Sequence, residues 1–365
     1  MAATILAEAG ISVQLHERRP SYGRKLLIAG SSGLNITHQA DIDEFISQYQ
    51  GFDPGYWKRV FQAFSPSDWV KWINKLGLET FIGTSRRYFV KEMKASGLLK
   101  AWRIHLEKLG VEFIPNSEWQ GEELFPGGKP VGLFLGGGSW EDHPPRWPQF
   151  MRDAGLRVSP FEPANVGFEI DWKPEFIGEA EGKPLKKIIL RNQKGSKAGE
   201  LVVTRYGLEG TPVYFLGQAG PACLDLKPDL SLEQIMSRME SVRENLSPMR
   251  RAGRTLALCE AALALLFHHT DSETKRSIPA LAKTIKSFPL IMLGPRPLNE
   301  AISSTGGLDL SEVCSDPGRE HQLVRFPNVF VGGEMLNWTA PTGGFLIQGS
   351  VSQGALAGKN LLARL

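Results

Sequence analysis

Two carboxylates stand where the hydroxyls of a polyol could be held. Glu17 follows VQLH, a run that reads as a strand over residues 11–16, after a helix over residues 1–9 and a stop at Gly10. An acid delivered at the end of such a strand accepts hydrogen bonds from ribose hydroxyls. Glu334 follows FPNVFVGG, a buried-type strand that ends in Gly332 and Gly333, and an acid beside strand-end glycines suits a second polyol segment.

Three further stretches suit an anion or a flat ring. In GRKLLIAGSSGLNITH, residues 23–38, Gly30, Gly33, Asn35 and Thr37 fall within eight residues, so backbone N–H groups and small polar side chains can approach a ligand closely. Arg24 and Lys25 add charge for a pyrophosphate, although an ordinary surface loop has the same composition. In VGLFLGGGSW an apolar strand runs into Gly136, Gly137 and Gly138, a turn that lets backbone pass near a ligand or simply reverses the chain. In APTGGFLIQGSVSQGALAGKNLL, Gly343 and Gly344 precede a helix whose N-terminal N–H groups and positive dipole end face whatever lies over the glycines. Ser350, Gly354 and Gly358 leave one face of that helix nearly bare, at roughly 0.5–1 kcal/mol per glycine. Close packing on a sheet beneath a cofactor is the expected compensation.

The elements that must position these residues follow from pattern. Residues 41–110 read as mostly helical, with Ser65-Pro-Ser-Asp68 capping a helix over 69–76 and apolar spacing predicting another over 98–109. Strands are expected at 111–114, 131–135 and 329–331. Between 158 and 216 the short runs VGFEIDW, KKIILRN, ELVVTRYG and TPVYFLG predict a β domain; 230–286 is helical again and 288–313 returns to turn-rich β.

Composition narrows the function classes. A chain of 365 residues with 42% hydrophobic and 22% charged residues is an ordinary soluble globular protein of two or three domains. The net charge of +3 is spread along the chain, which speaks against nucleic acid as the main partner. The apolar run at 261–267 is too short to span a membrane, and no signal for export precedes a cleavage site. Cys223, Cys259 and Cys314 form no C-x-x-C and read as reduced thiols, which places the chain in the cytoplasm. His268, His269 and Asp271 lack a further ligand at metal spacing, so no metal site is expected. Neither a Walker A loop nor a G-x-S-x-G elbow is present.

Taken in order, VQLHERRP, GRKLLIAGSSGLNITH, SRRYFVKEMKASGLLKAW, LGGGSW, EPANVGF, VVTRYGLEG, AISSTGGL and GGEMLNWTAPTGGFL resemble a family of conserved bacterial flavoproteins. These are FAD- and NAD(P)-dependent oxidoreductases, among them a reductase of the bile-acid dehydroxylation pathway. The resemblance implies an α/β fold: a glutathione-reductase-like FAD-binding domain over 1–157 and 318–365, an inserted β-barrel-like domain over 158–226 and 286–317, and a helical insertion over 227–285. It also implies that Glu17 binds the adenosine ribose and that Gly33, Asn35 and Thr37 lie near the flavin and pyrophosphate. Gly136 and Gly137 would form the strand-end turn, with Glu334, Gly343 and Gly344 along the ribityl and flavin end.

The first strand and G-x-G-x-x-G fingerprint of that fold are not among these residues, and a start at an internal Met just past them, Met1, is expected. The activity implied is hydride transfer through flavin, with reduction of a conjugated C=C of a small organic substrate favoured. With no second dinucleotide fingerprint, NAD(P)H would dock as a transient donor. No catalytic acid or base is nominated, and the sequence carries no signal for oligomeric state. Two alternatives stay open. The missing fingerprint favours a non-catalytic homologue without cofactor, and the lack of a basic patch argues against an FAD-dependent RNA-modifying protein.

Overall fold

The computed structural model describes every residue except 31, 32, 84, 122–129, 141, 142, 243 and 244, so Ser31 and Ser32 of the glycine loop lie outside the described residues. Two compact units form: Met1–Glu162 with Ile302–Leu365, and Pro163–Ala301.

In the first unit the helix Ala2–Glu8 leads to β1 (Gln14–Glu17), as its sequence pattern predicts. The helix Arg24–Ala29 follows, so Arg24 and Lys25 sit on a helix and not in a loop. The glycine loop then feeds β2 (Asn35–His38), which pairs antiparallel with β4 in a hairpin of β3 (Thr80–Ile82) and β4 (Arg87–Val90). The stretch 41–110 is mostly helical, as expected, and this hairpin is its one strand interruption among the described residues. Two short β-prone runs, TFI and RYFV, pair across the turn that Gly83 closes by donating to Arg87 O at 2.8 Å. The Ser65 cap is confirmed: Ser65 and Asp68 form a reciprocal capping box on the helix Pro66–Lys75. That helix buries Trp69, Trp72 and Ile73 at helical spacing, and the Trp69 indole donates to Ile36 O of β2 at 3.2 Å. After the helix Ala95–Lys108, β5 (Glu112–Pro115) pairs parallel with β1, so Glu17 stands opposite Pro115. β6 (Val131–Leu133) and β7 (Val158–Ala164) complete this part of the chain.

The second unit is a closed barrel with a helical excursion. Its strands are β8 (Phe168–Glu169), β9 (Pro184–Asn192), β10 (Gly195–Thr204), β11 (Gly207–Glu209), β12 (Gly220–Asp225), β13 (Phe288–Met292) and β14 (Gly294–Pro295). The order β13-β12-β9-β10-β11-β8-β14 begins and ends on strands separated by one residue, Leu293, so the sheet closes on itself. Leu185, Ile188, Leu190, Leu201 and Val203 fill its interior. One expected strand is a helix: TPVYFLG folds as Thr211–Leu216, with Pro212, Val213 and Leu216 buried. Gly210 turns the chain out of the sheet at φ +126°, and Pro212 has no N–H to give a ladder. Between β12 and β13 run the helices Leu232–Glu240, Pro248–Thr255, Glu260–His269 and Ile278–Lys286. Where they return to the barrel, Asp225, 1% exposed, is held by Lys286 Nζ at 2.8 Å and Arg191 Nη2 at 3.5 Å.

The chain re-enters the first unit through β15 (Ser303–Leu308), which pairs with β7, and β16 (Val329–Val331), which lies parallel to β6. The last helix, Phe345–Leu362, starts directly after Gly344. Its bare face packs against a helix and not against a sheet, which corrects the expectation. A Cβ on Gly358 would stand 3.0 Å from Ala2 Cα, and one on Gly354 would stand 3.4 Å from Met1 Cβ. The glycines let the helix Ala2–Glu8 approach to backbone contact.

Candidate functional site

The strand-end turns converge on Glu334. β16 ends at Val331, and Gly332 and Gly333 then carry the chain into a single 3₁₀ turn that presents the carboxylate. Its Oε2 accepts from Gly137 N at 3.2 Å and pairs with Lys25 Nζ at 3.0 Å, while Oε1 accepts from Ser139 Oγ at 3.3 Å. Lys25 Nζ also donates to Gly137 O at 2.9 Å. Gly138 N donates to Ser304 Oγ at 2.9 Å, and Gly136 O accepts from the Trp147 indole at 3.0 Å. A side chain on Gly137 would collide with Ser304 Oγ and come within 2.9 Å of Glu334 Cγ, so the carboxylate needs that glycine. About a quarter of the Glu334 and Lys25 side chains remains exposed, leaving the carboxylate open to outside hydroxyl donors. Lys25, Gly136, Gly137, Gly333 and Glu334 thus form one cluster, to which Ser139 and Ser304 add hydroxyls that sequence reasoning missed.

A second cluster gathers on β2 and the turn before the last helix. Gly344 is its pivot: at φ +101° a Cβ there would stand 2.6 Å from Thr37 Cα and 2.7 Å from Thr37 N and C. Beside it, a Cβ on Gly343 would lie 3.1 Å from Arg87 Nε. On β2, Asn35 Oδ1, Thr37 Oγ1 and His38 Nδ1 are buried and have no hydrogen-bond partner. Burial, then the Arg86 and Arg87 guanidiniums, lower the His38 pKa against the opposing pull of Glu44 and of a hydrogen bond with the Gly343 backbone, and the ring stacks on Phe345 at 5.0 Å. Orphaned buried polar atoms are rare and costly in a folded chain. Three on one four-residue strand, next to a helix N-terminus and a guanidinium, fit an external group rich in carbonyl and N–H functions, such as a flavin ring edge. Neither a histidine nor an arginine reports its pairing from sequence, so His38 and Arg87 join the site only once the chain is folded.

The remaining candidates make local contacts of their own. Glu17 ends β1 with its Oε1 accepting from Arg19 N at 2.9 Å. Gly33, at φ +120°, is roofed by Met93, whose Cε lies 2.7 Å from its Cβ position. Arg24 opens its helix. In the second unit a cavity of about 250 Å³ is lined by Ile170, Trp172, His269, Leu290 and Leu293, and no nominated residue lines it. His268 pairs with Glu179 at 2.9 Å, His269 packs on Trp172 and Phe176, and Asp271 accepts from Thr274 N at 2.8 Å, so all three have structural partners. Among the described residues no group of three or more His, Cys, Asp or Glu could hold a metal, and no helix is long and apolar enough to cross a membrane.

The family matches agree with this architecture. Residues 1–127 match the HI0933-like protein Rossmann domain, and residues 162–303 match the HI0933-like protein barrel and H2TH domain. The 3-dehydro-bile acid delta(4,6)-reductase of Clostridium scindens is 21% identical over 98% of this chain and 94% of its own length. The 3-ketosteroid-delta4-(5alpha)-dehydrogenase from Rhodococcus jostii RHA1, solved with 4-androstene-3,17-dione, is 14% identical with a TM-score of 0.47, covering 98% of this chain and 92% of that one. An open-conformation flavocytochrome c3 fumarate reductase is 15% identical with a TM-score of 0.44, covering 99% and 76%. The two matches carry the same family description and together take in most of the chain, and the second spans the barrel and the four helices. The chain belongs to the HI0933-like family of flavoprotein oxidoreductases.

Proposed function

We propose that the chain binds FAD along its first unit and uses it to reduce a conjugated C=C of a small organic substrate, with NAD(P)H as the donor. The observation that carries this reading is the pair of clusters on the last helix. Glu334 is offered in a glycine turn tied to Gln353, and the unpartnered atoms of β2 lie against Gly344, the helix N-cap. The span from Gly344 to Gln353 is about 13 Å at 1.5 Å per residue, so both clusters can lie along one elongated ligand.

When bound, FAD supplies hydride transfer, and the protein supplies orientation and electrostatics. Glu334 accepts from ribityl hydroxyls. Asn35 Oδ1 accepts from a ring N–H, and Thr37 Oγ1 and Arg87 donate to ring carbonyls. The last helix lends its positive N-terminal end, and Arg24 and Lys25 bring charge towards the pyrophosphate. Glu17 holds the adenosine ribose, and Gly33, Gly136 and Gly137 keep side chains out of the cofactor's path. Reduction of an enone is supported by the name of the bile-acid delta(4,6)-reductase, which aligns over nearly the whole chain.

The test is direct. Protein titrated with FAD should quench flavin fluorescence at a saturable site, NADH or NADPH should bleach the flavin anaerobically, and a steroid enone should then gain two hydrogens by mass spectrometry. Failure to bind FAD defeats the whole reading. Binding without bleaching by either nucleotide defeats the donor assignment alone.

A further inference from the structure

Three fully buried polar side chains lie beneath the Glu334 turn: Tyr56, His321 and Gln353, each 0% exposed. Gly333 N donates to Gln353 Oε1 at 2.8 Å, and Gln353 Nε2 lies 3.0 Å from Tyr56 Oη. Tyr56 Oη lies 3.1 Å from His321 Nε2, and His321 Nδ1 lies 2.8 Å from Val331 O. The two ends have no choice of role, because a backbone N–H can only donate and a carbonyl can only accept. The direction of every bond between them follows. Gln353 faces Gly333 with its oxygen and gives its N–H to the phenol; the phenol gives its own proton to Nε2, and the neutral imidazole carries its proton on Nδ1.

Both ends of this chain land on one turn. Val331 closes β16 and Gly333, at φ +77°, immediately precedes Glu334. The other side of the Gly333 peptide is gripped as well, since the Trp338 indole donates to Gly333 O at 2.8 Å. Placing three polar groups in an apolar interior is costly unless all are paired, and it adds little net stability when they are. What the arrangement gains is a single allowed orientation for the peptides at 331–333.

We propose that Gln353, Tyr56 and His321 are positioning residues for the cofactor: they form a one-directional hydrogen-bond clamp that fixes the Gly333–Glu334 turn and so aims the Glu334 carboxylate at the ribityl hydroxyls. The clamp rests on the proposed role of Glu334. It touches no substrate and acts only through the turn.

The test is a double-mutant cycle on FAD affinity, measured by fluorescence titration, with thermal melts without FAD beside it. Glu334→Gln alone should weaken binding about tenfold, the effect of one charge-assisted hydrogen bond. Gln353→Leu and Tyr56→Phe should each weaken it by a similar factor of about ten. In the Glu334→Gln background their effect should fall below about twofold, because no carboxylate remains to be aimed. Equal penalties in both backgrounds overturn the clamp while leaving the FAD reading intact. No effect of Glu334→Gln overturns the reading of Glu334 and the clamp with it. Should Gln353→Leu fail to fold, the unmutated chain decides the matter: nitrogen-15 spectra of His321 must show the neutral Nδ1–H form, and an Nε2–H form overturns the proposed direction.

Discussion

The two units treat buried polar groups in opposite ways. In the second unit the buried charge of Asp225 is met by Lys286 and Arg191, and Lys286 also donates to Leu230 O at 2.8 Å. Seven buried side-chain polar atoms lack a partner among the described residues; six belong to the first unit and only Thr270 Oγ1 to the second. Three of the six share β2. The barrel and its helices are satisfied from within, whereas the strand beside Gly344 leaves hydrogen-bonding capacity that the chain itself does not fill. Buried hydrogen-bonding capacity that a fold leaves unfilled is capacity that a ligand can fill.

The sharpest way to break this contrast is at Gly344. A valine there meets the Thr37 backbone and must also hold φ +101°, so Gly344→Val should destabilise the chain by roughly 3–5 kcal/mol even without FAD. Denaturant melts check this, and an unchanged midpoint would mean that β2 is not anchored by the helix N-terminus. The Gly354→Val variant, packed against Met1 at a longer distance, should cost less, about 1–3 kcal/mol.

Acid should expose the buried clamp next. Burial lowers the His321 pKa from the ordinary 6.5 to about 4. Between those values the unfolded chain binds a proton that the folded chain refuses, so stability is full above pH 6.5 and declines as the pH falls towards 4. The loss should reach roughly 3 kcal/mol, and His321→Asn should flatten that part of the profile. Urea melts across the range are the measurement.

In the second unit, Lys286→Met should cost about 2–3 kcal/mol, because it leaves the Asp225 carboxylate buried with only the longer Arg191 contact. FAD affinity should not move. Smallest of all, Thr37→Val removes an unpartnered hydroxyl at nearly constant volume, so stability without FAD should change by less than about 1 kcal/mol while FAD affinity drops about tenfold. Equal losses in both measurements would erase the difference between the two units.

Much of this was legible in the sequence. Short-range rules placed the Ser65 capping box, the strand Val329–Val331 and the start of the last helix after Gly344, because caps, β-branched runs and glycines act within a few residues of themselves. The ordered motifs carry the family resemblance, and the glycines before Glu334 read as a strand end, where the structure has one. What the sequence did not contain were relations between distant segments. TPVYFLG reads as a strand until the barrel closes without it, and the bare face of the last helix reads as a sheet contact until the helix Ala2–Glu8 takes that place. The partners of Glu334 come from Lys25, Gly137 and Ser139, and the clamp beneath it joins Tyr56, His321 and Gln353, residues separated by up to 297 positions. Hydrogen bonds at about 3 Å and the polarity they impose depend on which buried groups meet, and burial is set by the packing of the whole unit, not by any local stretch of chain.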